Sequence, residues 1–224
     1  MPILNEEQHK IVSDAVGAAE LATSGEIVTV LADRSDGYTD VVLVYSAAMA
    51  FTAMSVFAFV PAPFMSCWDM LIGGWMHEWT TGELASMTIA LGLLAFIATW
   101  LAFMWDPLRF ALIPGPVKAS RVHECAVRHF KVGAEARTHG RTGVLVYLSM
   151  QEHRAEIVAD QPIAEKVPAE VWGEAMADML AEIRKGCTAE GIAAGVADVG
   201  KVLSEHFPRD ADDVNELPDR LIEL

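Results

Sequence analysis

Two runs without an Asp, Glu, Lys, Arg or His, Val41–Val60 and Leu84–Trp105, interrupt a chain that elsewhere mixes apolar and polar positions at helical or strand spacing. Each is about the length an α-helix needs to cross the roughly 30 Å hydrocarbon core of a bilayer. Their polar side chains (Tyr45, Ser46, Thr52, Ser55, then Ser86, Thr88, Thr99) are hydroxyls that can bond back to the helix's own carbonyls. A soluble helix of this length normally shows a charged face, because water wets one side of it. A chain of 224 residues is also too short to bury two such helices. The pattern predicts a transmembrane hairpin, with spans near 41–60 and 84–105 joined by an outer loop at 61–83.

Outside the hairpin the periodicities are those of a small α/β domain. Asn5 with Gln8 makes a capping box, and Ile11, Val12, Ala15, Ala19 and Ala22 recur at helical spacing until Gly25. Glu26–Ala32 follows as a β-branched strand. Beyond the second run, Val117–Ala136 reads as a helix, with Val122, Ala126, Val127 and Phe130 on one side. Gly140–Gly143 opens a strand at Val144–Ser149, and a tight connection leads into a second at Arg154–Ala159. Pro168 sits in the first turn of a helix whose stripe runs from Val171 and Trp172 to Ile183. Gly186 ends it, and Ile192, Val196, Val199, Leu203 and Phe207 mark a last helix before Pro208. Residues 208–224 are acidic and poor in large apolar side chains until the last four, which predicts a solvated tail with a weakly amphipathic end suited to docking on a partner.

Forty residues carrying one helix and one strand seldom fold alone, and a lone strand cannot satisfy its own backbone. The opening strand therefore needs partners from beyond the second span. This implies one discontinuous domain, 1–40 with 106–207, into which the hairpin 41–105 is inserted.

Charge sets the orientation. Lys and Arg number two in 1–40, none in 61–83 and seven in 106–141. Basic residues collect on the cytoplasmic side of a span, so both termini are expected there, in a multi-pass protein of the inner or plasma membrane. The opening MPILNEEQHK has neither a basic n-region nor an apolar h-region, so no cleavable signal is expected. Trp68, Trp75 and Trp79 in the connecting loop suit the headgroup layer. The formal net charge of −15 argues against nucleic acid as a partner. The basic stretch 106–141 would be attracted to anionic headgroups, and the acidic remainder repelled by them.

Catalytic constellations are not found. Cys67, Cys125 and Cys187 have no Arg at phosphatase-loop spacing, and they are too scattered for a disulfide framework. Asp210-Ala-Asp212 imitates an aspartate-nucleophile motif but does not follow an apolar strand. His123, Cys125 and His129 look like a metal set, yet on a helix His123 points away from the other two. No ionisable residue lies within the spans, which argues against transport through the hairpin.

Four segments together carry a resemblance: Thr23-Ser-Gly-Glu-Ile-Val-Thr-Val30, Gly140-Arg-Thr-Gly-Val-Leu-Val-Tyr-Leu-Ser149, His153-Arg-Ala-Glu-Ile-Val-Ala-Asp160 and Val167-Pro-Ala-Glu-Val-Trp172. The chain resembles the TPM domain family over 1–40 and 106–207. That family includes thylakoid and nematode membrane-associated proteins and many bacterial ones. The resemblance implies an α/β/α sandwich around a small mixed sheet, in a modified Rossmann-like arrangement usually tethered to a membrane. Members are linked to photosystem repair, receptor modulation and weak acid phosphatase activity, so membership leaves the chemistry open. Some relatives bind calcium near strand ends, which makes Asp33, Asp36 and Asp160 the candidate ligands here. Against that, calcium wants six to eight oxygens, and no loop has EF-hand spacing. Where many relatives carry a glycine-rich turn, this chain has Ala159-Asp160-Gln161-Pro162-Ile163. Two functions follow as expectations. One is a non-enzymatic, membrane-tethered module that binds, assembles or maintains another membrane protein, with no resident cofactor. The other is a weak, metal-assisted acid phosphatase-like hydrolase with an acidic cleft.

Overall fold

A computed structural model describes residues 3–72, 78–133, 142–209 and 219–224. The chain divides into two compact units, Met1–Asp36 with Pro114–Leu224, and Gly37–Ile113.

In the first unit Asn5 starts helix α1 (Glu6–Glu20). Its side-chain oxygen accepts from the Gln8 N–H at 2.8 Å, and the Gln8 side chain accepts from the Asn5 N–H at 3.0 Å. The reciprocal pair satisfies donors that every helix start leaves open. Val12, Val16 and Ala19 face inward, and the buried stripe ends on Glu20. Strand β1 (Glu26–Ala32) pairs in parallel with β2 (Gly143–Ser149) along its whole length, Glu26 opposite Gly143 and Ala32 opposite Ser149. A turn, with His153 at φ 52°, leads into the antiparallel β3 (Arg154–Ala159). A short β4 (Ile222–Glu223) lies parallel to β1 on its other side, so the sheet order is β3-β2-β1-β4.

Alternation along β2 decides what each face meets. Val144, Val146 and Leu148 join Ile27 and Leu31 in a core with α1, α8 (Ala169–Ile183) and α9 (Thr188–His206). Leu145 and Tyr147 join Val30 and Ala32 under α6 (Gly115–Gly133), which supplies Val122, Cys125, Ala126 and Phe130. The result is the α/β/α sandwich around a small mixed sheet that the family resemblance implies. Helices α1 and α9 approach closely at Gly200, where a Cβ would stand 2.6 Å from the Ala19 Cβ.

Three local features depart from expectation. The end of the acidic tail is not solvated. Leu221 is buried, Ile222 lies opposite Val30, and the main chain of Leu224 bonds Leu31 and Asp33. The Glu223 carboxylate accepts from the N–H groups of Ile3 and Leu4 at 2.9 and 2.8 Å and meets His9 at 3.0 Å. A short helix α7 (Gln161–Lys166) follows β3, with Pro162 in its first turn. The helix expected at 117–136 begins earlier, at Gly115 behind Pro114, and its expected end at 134–136 lies outside the described residues.

The second unit contains α2 (Thr39–Phe59), α3 (Ala62–Ile72), α4 (Thr81–Ala102) and α5 (Asp106–Leu112). Helices α2 and α4 are long and apolar enough to cross a membrane, and only 17% and 6% of their most apolar stretches are buried. Phe51, Phe59, Leu93 and Leu94 instead point outward. The two helices pack on each other at Gly92, where a Cβ would lie 2.8 Å from the Met54 sulfur. Thr52, Thr88 and Thr99 donate to the carbonyls of Ala48, Leu84 and Ala95, which satisfies each hydroxyl within its own helix. The stretch between them is not only loop. Proline at 61 and 63 opens α3, and Phe64 sets its ring edge-on to Phe57. Thr80 and Glu83 then form a capping box that starts α4. Trp75 lies outside the described residues.

Candidate functional site

Parallel strands offer ligand sites beyond their carboxyl ends, and β1 and β2 end side by side at Ala32 and Ser149. A polar network closes this end. The Glu152 carboxylate, buried in the β2–β3 turn, accepts from the Ser35 N–H at 3.0 Å and from the Ser149 hydroxyl. The Ser35 hydroxyl stands 3.0 Å from both the Tyr147 phenol and the Ser149 hydroxyl. Beneath them the Tyr147 hydroxyl donates to the Cys125 sulfur at 3.3 Å, and the His129 ring stacks on the tyrosine. Burial, with help from the Cys125 contact, holds the Tyr147 phenol well above its usual range. Burial and neighbouring Arg128 push His129 below the ordinary histidine value.

This arrangement fixes a backbone rather than activating a nucleophile. Ser35 is bonded to two hydroxyls, and among the described residues no imidazole or carboxylate contacts its oxygen. Cys125 is buried in the core, where a thiol is inert. The network ties residue 35, where the chain leaves the sheet, to the β2–β3 turn.

The three candidate carboxylates do not meet. Asp33 is exposed at the carboxyl end of β1, where its main chain bonds Leu224 and Gln151. Asp36 stands nearby, 3.2 Å from the Arg121 Nε. Asp160 is at the opposite end of the sheet, because β3 runs antiparallel. Its carboxylate accepts from the Gly143 N–H at 3.0 Å and it starts α7. Six residues of strand at about 3.3 Å each separate the two ends, roughly 20 Å. Among the described residues no group of three or more His, Cys, Asp or Glu side chains is set to hold a metal ion. His123 reaches Glu156 at 3.5 Å, away from Cys125 and His129, as helical spacing requires.

A second polar cluster lies at the amino end of β1. Glu20, Glu26 and Asp219 line a cavity of about 110 Å³ together with Thr23 and Arg209. The Glu20 carboxylate accepts from the Ile27 N–H at 2.9 Å. Burial, reinforced by the Glu26 and Asp219 charges, pushes its pKa up to about 8 in spite of that bond. Sequence reasoning missed both clusters. Glu20 had a signal, since it continues the Val12–Val16 stripe at i+4 spacing. Ser35 and Glu152 had none, because what joins them is the parallel pairing of distant strands.

Comparison with known proteins adds a family. A sequence model described as the TPM domain matches residues 119–202, which run from α6 through β2 and β3 into α9. Residues 119–202 are similar to the TPM domain. The fold around it is similar to the NMR structure of the BA42 protein from the psychrophilic bacterium Bizionia argentinensis, with a TM-score of 0.57 at 17% identity. That likeness covers 100% of this chain and 97% of the other, and at such identity it speaks for fold alone. Comparison with curated proteins gives no match. The matched stretch includes Cys125, Tyr147, Ser149, Glu152 and Asp160, while Asp33 and Ser35 follow β1 on the far side of the apolar insertion.

Proposed function

We propose that this protein is a membrane-tethered TPM domain that binds another membrane protein and helps assemble or maintain it. On this reading residues 37–113 cross the bilayer as a two-helix hairpin, and the sandwich and both termini stay in the cytoplasm. One observation carries the topology: β1 precedes the hairpin, β2 follows it, and the two are neighbours over seven residues in register. Strands on opposite sides of a bilayer cannot pair, so any crossing between them must return. The outward apolar side chains of α2 and α4 support the crossing itself. Lys118, Arg121, Arg128 and Lys131 along α6, soon after the second span, suit a cytoplasmic surface near anionic headgroups.

A binding role is favoured over hydrolysis because Ser35, Tyr147, Ser149 and Glu152, at the carboxyl ends of the parallel strands, are spent on one another. Asp160, which an acidic cleft with Asp33 and Asp36 would need, is committed to Gly143. The test is cross-linking of the full chain in its own membranes, followed by capture in mild detergent. The expected result is a reproducible membrane-protein partner. No such partner, together with phosphomonoester hydrolysis by the purified chain that Asp33→Asn abolishes, would overturn the reading in favour of an acidic hydrolase.

A further inference from the structure

Among the described strands β3 ends the sheet, and its outer edge pairs with none of them. The Asp160 N–H donates to the Gly143 carbonyl at 2.9 Å, which makes 143 and 160 a hydrogen-bonded pair. Alternation along an antiparallel ladder then directs the main chains of Arg154, Glu156 and Val158 toward β2. Those of Ala155, Ile157 and Ala159 point away from it, and no described strand lies there to receive them. All six β3 residues are half-exposed, in contrast to the fully buried β2.

Beside this edge runs a groove of about 420 Å³ between β3 and α8. His153, Arg154 and Ala155 bound it on the strand side, and Met176, Leu180 and Arg184 on the helix side. No carboxylate lines it, although the chain has 31 acidic residues against 16 basic ones. Unpaired donors and acceptors in a row, an apolar floor and the Arg184 guanidinium define what fits, the Arg154 guanidinium being bonded to the Gly115 carbonyl of α6. An extended peptide can complete the ladder with its main chain while alternate side chains enter the groove.

We propose that the β3 edge is a docking site for an extended segment of a partner protein, with an acidic side chain beside an apolar one, taken up by strand addition. The apolar residue packs on Met176 and Leu180, and the acidic one pairs with Arg184. Guanidinium groups suit this role, since they hold a carboxylate through two parallel N–H bonds. A second copy of this chain fits less well. Pairing two β3 edges would bring two Arg-lined grooves together without a carboxylate in either. The proposal rests on the binding reading above and names the surface and chemistry it uses.

The test uses the full chain in detergent micelles and three fluorescent heptapeptides. One alternates valine with glutamate, one valine with lysine, and one is the glutamate peptide N-methylated at alternate amides. The glutamate peptide should bind and slow hydrogen exchange at the Ala155, Ile157 and Ala159 amides. The lysine and N-methylated peptides should bind at least ~10-fold more weakly. Arg184→Glu should weaken the glutamate peptide by a similar factor, and Ala155→Pro should abolish binding by blocking the edge, with Arg184→Glu deciding if that variant does not fold. Equal binding of the glutamate and lysine peptides, or protection at those amides by anionic lipid vesicles alone, would overturn the proposal. So would concentration-dependent protection without peptide, which would mean a second copy occupies the edge. A membrane partner captured equally well by wild type and Arg184→Glu would refute this surface while leaving the binding function standing.

Discussion

Glu223 joins the two ends of the chain, and replacing it tests whether the C-terminal strand belongs to the fold. Its carboxylate holds the Ile3 and Leu4 N–H groups and His9. Glu223→Ala removes two charge-assisted hydrogen bonds, each worth about 1.5–3 kcal/mol in protected settings. The side chain is 17% exposed, so water can reach the freed donors and the lower part of that range applies. The expected loss is about 3 kcal/mol, or roughly 6–12 °C in melting temperature for a unit of this size. Burial raises the carboxyl's pKa, but the Ile3 and Leu4 donors and His9 outweigh that, and the net shift is downward. Its contribution is therefore complete above the unfolded carboxylate value of 4.5 and lost as pH falls through the lower folded value. Thermal melts of the full chain in detergent at pH 7 and pH 3.5 should show the variant clearly less stable at the first and closer to wild type at the second. Exchange at the Ile3 and Leu4 amides should speed up in parallel. Unchanged melting and unchanged amide protection would refute the reasoning, since both would mean that Glu223 is not docked.

Glu20 titrates in the other direction. Its folded pKa of about 8 lies above the unfolded value, so the folded state holds an extra proton between pH 4.5 and 8 and loses stability as pH rises through that window. Glu20→Gln keeps an acceptor for Ile27 and should flatten the slope by up to ~1.4 kcal/mol per pH unit, read from melting temperatures at pH 5, 6.5 and 8; parallel slopes in the two proteins would count against it. Gly200→Ala should destabilise by about 1–3 kcal/mol, because the new methyl meets rigid Ala19 atoms rather than a movable side-chain end. Gly173→Ala in α8, where nothing lies within 4 Å of the new Cβ, should instead stabilise by up to ~1 kcal/mol through helix propensity. The same sign for both in chemical denaturation would contradict the packing described between α1 and α9.

The parts of the fold legible in the sequence are those where one periodicity runs long enough to be unambiguous. The Val12–Val16–Ala19 stripe, the β-branched Glu26–Ala32 and the continuous Val144–Leu148 each specify an element and a buried face. The Asn5–Gln8 box marks its helix start because both halves of the cap lie three residues apart. Ile222–Glu223 could not be read as a strand. Two residues have no period, and their pairing depends on the free side of β1, more than 180 residues away in sequence. The acidity of 210–219 suggests solvent, yet the last apolar residues serve the core. Helix α3 was hidden in the stretch expected to be a loop between the two apolar spans, though proline at a first turn can start a helix. Asp33, Asp36 and Asp160 all sit near strand ends, as the sequence indicates. Which end was not legible until the antiparallel direction of β3 separated Asp160 from the other two.

The pairing of β1 with β2 across the apolar insertion underlies the whole account, and compartment reporters test it directly. Fusions of a reporter active only in the cytoplasm, placed at residue 1 and after residue 224 of the full chain, should both be active, while the same reporter inserted between α3 and α4 should be silent. Activity at one terminus and silence at the other would contradict the account, because strands held in different compartments could not share one sheet.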